Sequence, residues 1–278
     1  MKNQDKNTVE GFGDEWSRFD QSDLPEDEQQ LLFDEYFSVF PWKDISKESV
    51  GFDLGCGTGR WAKSVAPKVK KLICIDPSNA IDIAKKNLSN FDNCEFESAT
   101  VDDMSIDNNS MDFGYSLGVL HHVPDTEMGI KQCVEKLKKG APLLLYLYYR
   151  FDNRPFWFRL IWSISDLLRK IISKMPYGLR YIFSQIIAVV VYFPLARIAL
   201  YLEKLNLNVS NFPLSSYKNL SFYTMRTDAL DRFGTRLEQR FTRDEIKNMM
   251  ESAGLENIKF SNSKPFWVAV GYKISETE

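Results

Sequence analysis

Three groups of residues have types and spacings suited to chemistry. The first is Asp53-Leu-Gly55-Cys56-Gly57-Thr-Gly59. Glycines let a backbone turn tightly and approach a ligand without a Cβ in the way. A helix starting just after such a turn offers unpaired N–H groups to an anionic group. The second is Asp76, 17 residues beyond Gly59, where a carboxylate can accept hydrogen bonds from both hydroxyls of a ribose. The third is the adjacent pair His121 and His122, the chain's two histidines. An imidazole with an ordinary pKa of about 6.5 suits removal of a proton from a hydroxyl nucleophile. An amine or thiolate nucleophile relies on alignment and desolvation instead. Cys56, Cys74, Cys94 and Cys133 form no CxxC pair, which predicts neither a disulfide framework nor a zinc or other metal site.

These residues need elements to hold them. From residue 50 to 150, short apolar runs alternate with helical patterns. VGFDL (50–54), KLICID (71–76), CEFES (94–98), MDFGYSLG (111–118) and APLLLYLYY (141–149) read as strands, with helices over about 58–67, 78–89 and 125–139. Such alternation predicts a parallel, doubly wound sheet. A helix follows at about 242–254, its start at Thr242-Arg-Asp-Glu245 spaced as a capping box and its end at Gly254. NIKFSNS and PFWVAVGYKI then read as an antiparallel pair. The glycine turn therefore lies after the first strand, Asp76 after the second and the histidines after the fourth.

Two cofactor classes fit that placement: a dinucleotide and S-adenosylmethionine. The dinucleotide fingerprint is GxGxxG, but Arg60 stands where its last glycine would be. The acidic residue before the turn suits the cationic amino-acid end of S-adenosylmethionine. Through DLGCGTGR (53–60), ICIDPS (73–78), ATVDDM (99–104) and MDFGYSLGVLHHVPD (111–125), the chain resembles the class I S-adenosylmethionine-dependent methyltransferases, small-molecule type. The resemblance implies an α/β, Rossmann-like, seven-stranded, mostly parallel sheet with an antiparallel last strand, and a helical insert between strands 5 and 6. It implies that Gly55, Cys56, Gly57 and Gly59 line the methionine portion with Asp53 near its amino group. By the same resemblance Asp76 holds the ribose beside Pro77 and Ser78. Thr100, Val101 and Asp102 flank adenine, and Ser116 and Leu117 face the sulfonium end. Where many members read the adenine amino group with an acidic residue, this chain has Thr100. The opening FGDEWSRF (12–19), with Trp16, is similar to an N-terminal element that some members fold over the cofactor. The implied organisation is an N-terminal element at 1–49, a cofactor-binding core at 50–150, an insert at 151–205 and completion of the core at 206–278.

The insert lies outside this resemblance. Arg159, Ser163, Asp166, Lys170 and Ser173 recur at three- and four-residue steps among apolar residues from Phe158 to Ile172, an amphipathic helix with a broad apolar face that Pro176-Tyr-Gly178 breaks. YIFSQIIAVVVYFPLARIALYL (181–202) is long enough to span a bilayer. Gln185, Pro194 and Arg197 interrupt it, however, and Pro194 is expected to split it in two. Residues 150–205 carry a net charge of +6 within a chain of −3, and 11 of the 38 aromatic residues lie in 151–205. That composition fits a lid, a homodimer interface or a peripheral membrane contact, with a lipid-linked or anionic acceptor. Arg226, Asp228 and Asp231 are candidates for the acceptor pocket. The overall acidic balance argues against nucleic acid as a partner. The cysteines and the polar N-terminus predict a cytoplasmic protein, with or without a membrane-surface contact.

The expected activity is therefore methyl transfer from S-adenosylmethionine to a small molecule. The histidines favour a hydroxyl oxygen of a sugar-, lipid- or quinone-like acceptor. The alternatives are N- or S-methylation without a general base, and a non-catalytic module that binds S-adenosylmethionine or S-adenosylhomocysteine.

Overall fold

A computed structural model describes residues 3–275. Apolar runs become strands: β1 (Val50–Leu54), β2 (Lys71–Ile75), β3 (Cys94–Glu97), β4 (Phe113–Leu117) and β5 (Pro142–Tyr146), with β1, β4 and β5 the most buried and β3 at the partly exposed edge. β6 (Leu255–Phe260) and β7 (Val268–Lys273) follow near the C-terminus. The sheet order is β3-β2-β1-β4-β5-β7-β6. The first five strands pair in parallel, and β7 runs antiparallel to both β5 and β6. This is the seven-stranded, Rossmann-like α/β fold, with helices between β5 and β6. The order reverses between β1 and β4, and ligands of such sheets bind beyond the strand ends at that point.

The helices, in chain order, are α1 (Lys6–Arg18), α2 (Glu26–Tyr36), α3 (Ala62–Val65), α4 (Ala80–Asn87), α5 (Thr126–Lys136), α6 (Phe156–Ile172), α7 (Tyr177–Ile187), α8 (Phe193–Lys204), α9 (Phe222–Gly234) and α10 (Arg243–Ser252). They fall into two compact units: 1–17, 29–150 and 237–278 form the first, 18–28 and 151–236 the second.

In the first unit β1 and β4 interlock. Their register sets Gly51 against Phe113 and Phe52 against Gly114. A Cβ at Gly51 would meet the Phe113 ring at 2.3 Å, and one at Gly114 the Phe52 ring at 2.2 Å. Each phenylalanine thus occupies space that its glycine leaves open, bringing the two strands that flank the switch point into close packing. Ile130, Cys133 and Val134 of α5 and Leu137 just beyond it, with Ile246 and Met250 of α10, bury against Leu143, Leu145 and Leu255. Phe37 and Phe40, following α2, pack edge-on against Tyr115 and Phe113. The expected capping box is present: Thr242 Oγ1 accepts from Glu245 N at 3.2 Å, and Glu245 Oε2 accepts from Thr242 N at 2.7 Å.

Two expectations about helices are corrected. The helix expected over 58–67 becomes four-residue α3 followed by a 3-10 turn at Ala66–Lys68, because Gly57 and Gly59 adopt φ of +53° and +81° and delay its start. Pro194 does not split the long apolar run. α7 continues through a π-helical turn at Ala188–Tyr192 into α8, with Pro194 in α8's first turn. Proline has no N–H to donate there, and the widened turn takes up the mismatch.

In the second unit α6 and α7 pack along α9, and Ile172, Ala188, Tyr192, Ala196, Met225, Ala229 and Phe233 form its core. Arg226, Asp228 and Asp231 serve this unit internally. Arg226 donates to Gln185 Oε1 at 2.6 Å and Tyr181 Oη at 2.9 Å, Asp228 accepts from Tyr217 Oη at 2.8 Å, and Asp231 accepts from Thr235 Oγ1 at 3.4 Å.

Candidate functional site

A cavity in the first unit opens at the carboxyl ends of β1, β2, β3 and β4. Its floor is the turn after β1. Gly55 N and Cys56 N both donate to Ile75 O, at 2.7 and 3.0 Å, which ties the turn to the end of β2. Gly55 has φ of +73°, and a Cβ there would strike Val119 at 2.3 Å. A Cβ on Gly57 would come within 3.3 Å of the Trp16 indole nitrogen. The backbone therefore lies bare along this wall.

Asp76 joins the second motif to the first. Its Oδ2 accepts from Gly57 N at 3.0 Å, and its Oδ1 accepts from Ser78 N at 2.9 Å and Ser78 Oγ at 2.6 Å. Burial pushes its carboxyl pKa up, and these donors hold it down against that push. Pro77 and Ser78 line the cavity beside it, with Thr100 and Val101 beyond. α1 closes another side with Thr8, Val9, Phe12 and Trp16. The last side is the segment after β4. It begins with Leu117 and Gly118, whose φ is +81° with open space where a Cβ would sit, and it runs on to His122.

The structure thus brings Trp16, Gly55, Cys56, Gly57, Asp76, Pro77, Ser78, Thr100, Val101, Leu117 and His122 to one cavity. It does not bring Asp53, Gly59, Asp102, Ser116 or His121 to that wall. Gly59 packs where a Cβ would meet Leu88 at 2.7 Å. Asp102 accepts from Asn3 N, and Ser116 Oγ donates to Leu54 O at 3.1 Å. Asp53 is buried behind the turn, and its Oδ2 has no partner among the described residues. Burial pushes its pKa up to about 8, with the Tyr115 phenol pulling the other way and the Asp76 charge adding to the rise.

The two histidines separate cleanly. His121 is fully buried, stacks on Tyr148 at 3.8 Å, and neither ring nitrogen has a partner among the described residues. Burial, then the neighbouring His122 and Arg240, hold its pKa well below the ordinary range, so the ring is neutral. His122 instead faces the cavity, edge-on to Phe12 at 5.0 Å. Its Nδ1 lies 2.6 Å from Leu237 O, a carbonyl that a proton on Nδ1 would satisfy.

Among the described residues that line the cavity the one lysine or arginine is Arg60, whose guanidinium lies over the Trp61 ring at 4.2 Å. α3 starts too late to present its N-terminus to the turn, so a pyrophosphate would find few donors. A bare glycine wall with the Asp76 carboxylate tied to it fits S-adenosylmethionine better. Sequence reading missed Thr8, Val9, Thr58 and Val119. α1's apolar positions at Val9 and Phe12 were the available signal. Among the described residues no cluster of three histidine, cysteine or carboxylate side chains is placed to hold a metal.

Residues 52–145 match the family described as "Methyltransferase domain". A stretch of 54 residues is 46% identical to an uncharacterised RNA methyltransferase of Clostridium tetani, covering 18% of this chain and 12% of that relative. Among solved structures, a chain in the complex between the Trm112 methyltransferase activator of Haloferax volcanii and a candidate methyltransferase aligns with a TM-score of 0.51 and 12% identity. That alignment covers 95% of this chain and 98% of the other. A candidate methyltransferase from Bacillus halodurans aligns equally well, with a TM-score of 0.51, 12% identity, and coverage of 87% and 99%. At this identity the structures show a shared fold. The exclusion of nucleic acid drawn from net charge finds no support in these likenesses.

Proposed function

Residues 52–145 are a methyltransferase domain of the class I, S-adenosylmethionine-dependent family, and from that premise we propose that the whole chain methylates a hydroxyl oxygen of a small molecule. The observation that carries this reading is the cavity's arrangement, with Asp76 at one side and His122 at the other. S-adenosylmethionine, when bound, supplies an electrophilic methyl group on a sulfonium. Gly55, Cys56 and Gly57 would hold its amino-acid portion through their backbones. Asp76 would accept from a ribose hydroxyl with the lone pair that Gly57 N leaves on Oδ2. Val101 and Thr100 flank the adenine, and Trp16 and Phe12 exclude water from above.

His122 is the base. With its Nδ1 proton committed to Leu237 O, the Nε2 lone pair accepts the proton of an acceptor hydroxyl, raising its nucleophilicity. His121 is a packing residue behind it. The acceptor is sugar-, lipid- or quinone-like. The four free thiols support a reducing, cytoplasmic setting. A screen of hydroxyl, amine and thiol acceptors under saturating cofactor tests the reading. Turnover on a hydroxyl acceptor, lowered about 10²–10⁴-fold in His122→Ala with cofactor affinity kept, is the expected result. Undiminished turnover in His122→Ala, or turnover confined to amines or thiols, would overturn it.

A further inference from the structure

The helices of the second unit are amphipathic the wrong way round for water. α6 turns Asp166, Arg169 and Ser165 toward α9, where Arg169 Nε donates to Asp166 Oδ1 at 2.7 Å and its Nη1 to Thr235 O at 3.0 Å. Its outward positions are Phe156, Leu160, Ile164, Leu167, Leu168 and Ile171, at 50–72% exposure. The following helix repeats the inversion. Arg180 is buried and donates to Met175 O at 2.6 Å, Arg226 donates to Gln185, and Arg197 donates to Lys218 O at 2.9 Å. Outward stand Ile182, Ile186, Val190, Ile198 and Tyr201. Guanidinium groups seldom turn inward while leucines face solvent, and an apolar patch of this extent marks an interaction surface.

Charge identifies what the surface meets. From α6 to the end of α8 the exposed charged side chains are Arg159, Lys170, Lys174, Lys204 and Glu203, four cations to one carboxylate, with Glu203 paired to Lys218 and Lys170 to the buried Asp166. Trp157, at the start of α6, is 47% exposed. An apolar face with a mainly cationic fringe and an aromatic residue at its end matches a bilayer bearing anionic headgroups. A second copy docked face to face would set the same cations against one another. The run Tyr177–Lys204 has 28 residues, with a mean hydropathy of 1.9 over its most apolar 18-residue stretch, enough by length and composition to cross a membrane. Yet one side of it packs on α9 through Arg180, Gln185, Tyr192 and Ala196, so lipid can reach only the other.

We propose that the outward face of α6 and of the α7–α8 helix lies in the interfacial layer of an anionic membrane, binding it without crossing it. The test uses the full chain and vesicles of phosphatidylcholine with and without phosphatidylglycerol. Expected is sedimentation with the anionic vesicles, weakened by salt, together with a blue shift of Trp157 emission that Trp157→Phe removes. Ile164→Asn with Leu167→Asn, both exposed, should weaken binding about tenfold or more while thermal unfolding stays close to the parent's. Arg159→Gln with Lys174→Gln, which touches no apolar residue, should abolish the preference for anionic vesicles. Failure to sediment, equal binding to both vesicle types, undiminished binding of the asparagine variant, or a stable dimer that this variant dissociates would each overturn the proposal. None of these readouts involves turnover, so they stand apart from the assignment of methyl transfer.

Discussion

Asp53 and His121 each put a polar group where water cannot reach it, with opposite consequences for pH. The Asp53 carboxyl is held protonated up to about pH 8, whereas in the unfolded chain it ionises near the ordinary carboxylate value of 3.8. Between those values the folded state binds a proton that the unfolded state has lost, so its contribution to stability falls as pH rises through this window. Asp53→Asn is therefore expected to match the parent's melting temperature at pH 4 and exceed it by about 4 °C or more at pH 8, read in parallel thermal melts without cofactor. His121 offers a second check. Replacing a buried imidazole with unpartnered nitrogens by a ring that keeps the stack on Tyr148 removes a desolvation cost. His121→Phe should remain within about 1 kcal/mol of the parent or exceed it in denaturant titration, and should retain turnover. The sequence placed both histidines in one loop, but which of them faces the cavity depends on Leu237, 115 residues away, and no local pattern carries that information.

At the level of elements, the parts set by short-range chemistry were readable in advance. The Thr242–Glu245 box needs only a four-residue spacing, and the alternation of strands with helices needs only periodicity. Thr242→Ala removes the cap's side-chain acceptor and should cost about 1 kcal/mol in urea unfolding. Elements shaped by backbone accommodation were misjudged. α3 was expected to be longer because the positive φ values of Gly57 and Gly59 leave no trace in an apolar pattern. The run through Pro194 was expected to break because a π turn has no sequence signature. The β1–β4 interlock was equally invisible, since it needs the register that sets Gly114 beside Phe52. Gly114→Val fills space already taken by that ring and should destabilise by about 1–3 kcal/mol, with weaker cofactor binding because both strands end at the site. Gly140→Ala, far from any such contact, is not its equivalent: φ there is +75°, and its strain would be local to the turn.

For the molecule as a whole, a net charge of −3 conceals a segment of +6 within a chain otherwise at −9. Sequence reading found that contrast and the amphipathic helices. It did not reveal that the polar stripe turns inward, because helical periodicity gives the width of a stripe and not which side meets solvent. It also assigned Arg226, Asp228 and Asp231 to a pocket, whereas they bind their own unit together through Gln185, Tyr217 and Thr235. The cofactor cavity is where legibility was greatest, since most of its wall comes from contiguous motifs after strand ends. Titration calorimetry of the full chain tests its identity most directly. S-adenosylhomocysteine should bind at one equivalent, about tenfold or more weaker in Asp76→Asn once folding has been verified, with no heat from NAD. Binding of NAD in its place, or an affinity that Asp76→Asn leaves unchanged, would contradict the assignment.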